Sequence, residues 1–91
     1  MLSHTTNEPA DAEALALAAL AATLTDERRA RRFLDLTGLD ADELRARAGD
    51  RGLLAALLGF LEAHEPDLVA VAQAIGIKPE RLVAARLELE Q

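Results

Sequence analysis

The chain has no cysteine, tryptophan or tyrosine, and among its 91 residues only one serine, one lysine and two histidines. Without cysteine there can be no disulfide staple, no thiolate metal site and no thiol nucleophile. The single serine, Ser3, lies in a polar start, and no glycine-rich phosphate loop is present, so no nucleophile–base pair can be assembled from the sequence. Carboxylates are plentiful, yet nothing singles out two that a dry cleft would hold. The expectation is a noncatalytic protein with no catalytic, cofactor-binding or metal-binding residues. Two phenylalanines are the only aromatics, so the core has to be aliphatic. Valine and isoleucine together number five, which leaves little material for strands. The longest apolar runs, Ala14–Ala22 and Leu53–Leu61, are about half the length a bilayer-spanning helix needs.

What the chain does have is alanine and leucine, 38 residues of the 91. These side chains lose least on entering a helix, and they point to an all-α bundle. The length fits one domain with a small core. A net charge of −6 and a pI near 4.8 favour solubility and oppose nonspecific contact with phosphate backbones. The first ten residues carry Glu8 and no Lys or Arg, unlike the basic start of a secretory signal. The reading is a cytoplasmic protein with a flexible segment over residues 1–8 and a single helical domain over 9–91.

Five to six short helices follow from the punctuation. Pro9 suits an early helical position, with Asp11 and Glu13 complementing the dipole of a first helix whose apolar face reads as Leu17, Leu20 and Leu24. Thr25 is expected to cap a second helix, Asp26 to Thr37, stopped at Gly38 in a left-handed conformation. Asp40 and Glu43 have capping-box spacing for a short third helix that closes by Gly49. Asp50 caps a fourth, over about 51–64, which is apolar on all sides and so expected at the centre of the bundle. Glu65-Pro66 restarts the chain. Leu68, Val71, Ala72 and Ile75 form the stripe of a fifth helix, ended by Gly76, and Pro79 opens the last, with Leu82, Val83, Leu87 and Leu89 apolar. The Gly38-Leu39 and Gly76-Ile77 segments, 38 residues apart, share one grammar and predict two similar glycine-terminated helix-turn-helix corners.

The segment Phe33-Leu34-Asp35-Leu36-Thr37-Gly38-Leu39-Asp40, followed by Leu44-Arg45-Ala46-Arg47-Ala48, is the most distinctive stretch. With the leucine-rich helix through Phe60-Leu61, the restart His64-Glu65-Pro66-Asp67-Leu68, and the closing Gly76-Ile77 and Pro79-Glu80, it resembles a family of short bacterial helical proteins. That family is catalogued as a domain of unknown function, number three-five-seven-two. The resemblance covers nearly everything after about Ala14. It implies the all-α fold and carries no activity or site residues over. Lys78 stands where the pattern expects an acidic cap.

The chemistry-bearing clusters admit few uses. Ala72, Gly76, Ile77 and Leu82 have the spacing of a DNA-binding helix-turn-helix, but the helix from Pro79 offers Arg81 and Arg86 against Glu80, Glu88 and Glu90, a poor groove reader. His64, Glu65 and Asp67 are too few and wrongly spaced for zinc; His64 reads better as a cation at a helix C-terminus. Asp40, Asp42 and Glu43 lack the central glycine of a calcium loop. Arg28, Arg29, Arg31 and Arg32 are the strongest charge feature, and two readings stand. They form a docking surface for an acidic or phosphorylated segment, or a solvated face whose stems cover apolar surface. If they are exposed, reversing Arg29 and Arg32 to Glu should leave melting nearly unchanged. The functional expectation is a protein–protein interaction module. A DNA-binding helix-turn-helix protein and a structural subunit of a larger assembly are the alternatives, and homo-oligomerisation is compatible with all three.

Overall fold

A computed structural model describes residues 8–91, with side chains from Asp11 onward. The polar start read over residues 1–8, including Ser3 and His4, lies outside the described residues except for Glu8, which begins α1. Six helices follow one another: α1 (Glu8–Leu24), α2 (Glu27–Thr37), α3 (Ala41–Ala46), α4 (Arg51–Glu62), α5 (Glu65–Ala74) and α6 (Pro79–Leu89). The fold is all-α, with no strand among the described residues.

The caps explain most boundaries. Asp26, rather than Thr25, is the N-cap of α2, and its carboxylate accepts from the Arg29 N–H at 2.9 Å. The Thr25 hydroxyl turns back to the Ala22 carbonyl instead, at 2.7 Å. A carboxylate accepts more strongly than a hydroxyl at the positive end of a helix, which accounts for the one-residue shift. The capping box of α3 is complete: Asp40 accepts from Glu43 N–H, and Glu43 accepts from Asp40 N–H. Asp50 holds the start of α4 through the N–H groups of Gly52 and Leu53. Gly38 (φ 75°) and Gly76 (φ 77°) both adopt the left-handed conformation that ends a helix, so the two corners share their stop. They differ at the restart, because Lys78 makes no side-chain cap at α6. His64 is the residue before α5, with α4 already ended at Glu62, and so is not the helix C-terminal cation expected of it.

α1, α4 and α6 pack on one another, with α5 against all three and α2 leaning on α1. α4 is central, burying Leu54, Ala55, Leu57, Leu58 and Leu61. From elsewhere Phe33, Leu44, Val71 and Leu82 complete the core. The expected face of α1 is corrected. Ala12, Ala16, Ala19 and Leu20 are buried, whereas Leu17 and Leu24 are 47% and 37% exposed. A face of alanines permits a closer approach of α1 to α4 and α6 than a face of leucines would. Thr23 continues the alanine face, its buried hydroxyl donating to the Ala19 carbonyl at 2.7 Å.

Candidate interaction surface

The four α2 arginines divide by face. Arg29 and Arg32 point across to α5, where both bind the buried Asp67 carboxylate. Arg29 Nε donates to Oδ1 at 3.0 Å, and Arg32 Nη2 donates to Oδ2. His64 Nδ1 lies 3.1 Å from the same Oδ2. The Arg32 guanidinium also covers the Phe60 ring at 5.2 Å, and Phe60 in turn tilts against Phe33 with centroids 5.2 Å apart. Burial alone would raise the Asp67 carboxyl, but the hydrogen bonds and charges of Arg32 and Arg29 outweigh it and hold the group below the ordinary carboxylate range. These two cations therefore fasten α2 to α5, and the Arg29 side chain retains only 16% exposure. The expectation that reversing them leaves melting unchanged does not survive this geometry.

Arg28 and Arg31 remain outward, and neither makes an ion pair among the described residues. Of the α6 cations, Arg86 is held by Glu62 on α4 and by Glu90, which raise its pKa. Arg81 and Lys78 flank Glu80 on an open depression of about 760 Å³ that Gln73 and Ile77 also line. Leu82, Ala85 and Leu89 of α6 are buried in the bundle, so the face this helix keeps for a groove is narrow and mixed in charge. Among the described residues, no three histidine or carboxylate groups gather in a way that could hold a metal ion.

The leucines that α1 turns outward make the feature that sequence reading missed. Leu17, Leu20, Ala21 and Leu24 form one wall of an apolar groove of about 190 Å³; Leu44 and Ala48 form the other, with Arg45 at its edge. Leu24 also lines a second depression of about 360 Å³, whose other lining residues are Glu27, Ala30, Arg31, Leu34 and Asp35 of α2. Residues of α1, α2 and α3 thus border two exposed leucines, Leu17 and Leu24, with Arg31 among the charged neighbours. The only signal in the sequence was the abundance of leucine on α1 beside an equally good alanine face.

The model of a family described as protein of unknown function, DUF3572, matches residues 9–91. The chain belongs to the DUF3572 family. No curated protein and no solved structure matches it. The match takes in all six helices of this DUF3572 chain, including both walls of the groove, and agrees with the resemblance read from Phe33–Asp40. No helix among the described residues is long and apolar enough to cross a membrane.

Proposed function

We propose that the chain is a noncatalytic protein-interaction module that binds through the apolar groove between α1, α2 and α3. The observation that carries this reading is the outward placement of Leu17 and Leu24, 47% and 37% exposed, with Leu24 shared by two neighbouring depressions. Apolar side chains gathered at a depression with a polar border offer a partner surface to bury. The arginine surface expected on α2 contributes to it in reduced form. Arg29 and Arg32 serve Asp67, while Arg31 borders the groove and Arg28 lies beside it. The absence of cysteine and tyrosine, with serine confined to position 3, supports the noncatalytic part of the reading.

The test is the double variant Leu17→Glu, Leu24→Glu, used as bait beside the wild type in quantitative capture from native cytosol. Exposed positions tolerate such changes within about 0.5 kcal/mol, so helicity and melting should hold. Proteins retained by the wild type should be lost from the variant. An identical captured set from both baits would remove the groove from the reading.

A further inference from the structure

No further inference is drawn: the strongest candidate, the open depression at the α5–α6 corner where Lys78, Glu80 and Arg81 border Ile77 and Ala84, carries nothing, because its charges are mixed and nothing in the structure shows what covers it.

Discussion

Asp67 answers two guanidinium groups and lies beside an imidazole while remaining 6% exposed. Charge-assisted hydrogen bonds are worth more than neutral ones, and removing one member of a buried pair strands the rest. Replacing Asp67 by Asn should therefore cost about 2 kcal/mol near neutral pH, measured by urea denaturation. Arg29→Glu with Arg32→Glu should cost about 3 kcal/mol or more, since it sets two new carboxylates against Asp67. Arg28→Glu with Arg31→Glu should stay within about 0.5 kcal/mol, because both groups are exposed. Equal melting of the two charge reversals would show that the α2–α5 bridge carries no stability. The pH dependence follows from the direction of the Asp67 shift. Its folded pKa lies below the ordinary value of 3.8, so the stabilisation is complete above the unfolded pKa and is lost as pH falls through 3.8 and on through the folded value. Thermal melting between pH 6 and pH 2.5 should show an acid-limb decline in the wild type, and Asp67→Asn should lack that share of it.

Between neighbouring residues the sequence was readable; between distant ones it was not. Gly38, the Asp40–Glu43 box and the Asp50 cap act within three or four residues, and all appear where the sequence places them. Three of the four residues in the stripe of α5, Leu68, Val71 and Ala72, are buried, whereas Ile75 follows the helix and is half-buried. The Asp67 bridge spans separations of 38 and 35 residues, and no local pattern pairs one acid among many with two arginines on another helix. The candidate site was half legible for the same reason: the α2 arginines stood out, while their division between Asp67 and solvent depended on tertiary packing. On α1 the error had a different source. Ranking side chains by hydrophobicity favours the leucine row, whereas the packing distance between helices favours the alanine row. Ala16→Leu should therefore cost about 1–3 kcal/mol by overpacking, and Leu17→Ala less than about 1 kcal/mol. In α4, Leu57→Ala and Leu58→Ala should each cost about 2–5 kcal/mol, both side chains being fully buried. Chemical denaturation that ranked Leu17→Ala above Ala16→Leu would reverse the assignment of the α1 face.

Across the whole molecule, attachment is uneven. Arg51 ties three helices at one end, donating to Glu13 of α1 at 2.7 Å and to the last carbonyls of α6, Glu88 and Leu89, at 3.3 and 3.4 Å. Arg86 links α6 to α4 a few turns away. The α2–α3 segment has fewer ties. Phe33 and Leu44 are its buried side chains, α2 packs chiefly on α1, and Asp67 supplies the polar anchor. A polypeptide fastened so unequally opens piece by piece rather than all at once. Backbone amides of α2 and α3 should exchange with deuterium through a partial opening well below the global unfolding free energy, while those of α4 and α6 wait for complete unfolding. Asp67→Asn should accelerate the first group alone. This segment and the turn after it also supply Leu44 and Ala48 to one depression and Leu34 to the other, so the lifetime of its closed form would set how long the surface persists between openings. If all six helices exchange at one common rate, α2 and α3 open only with the rest of the chain.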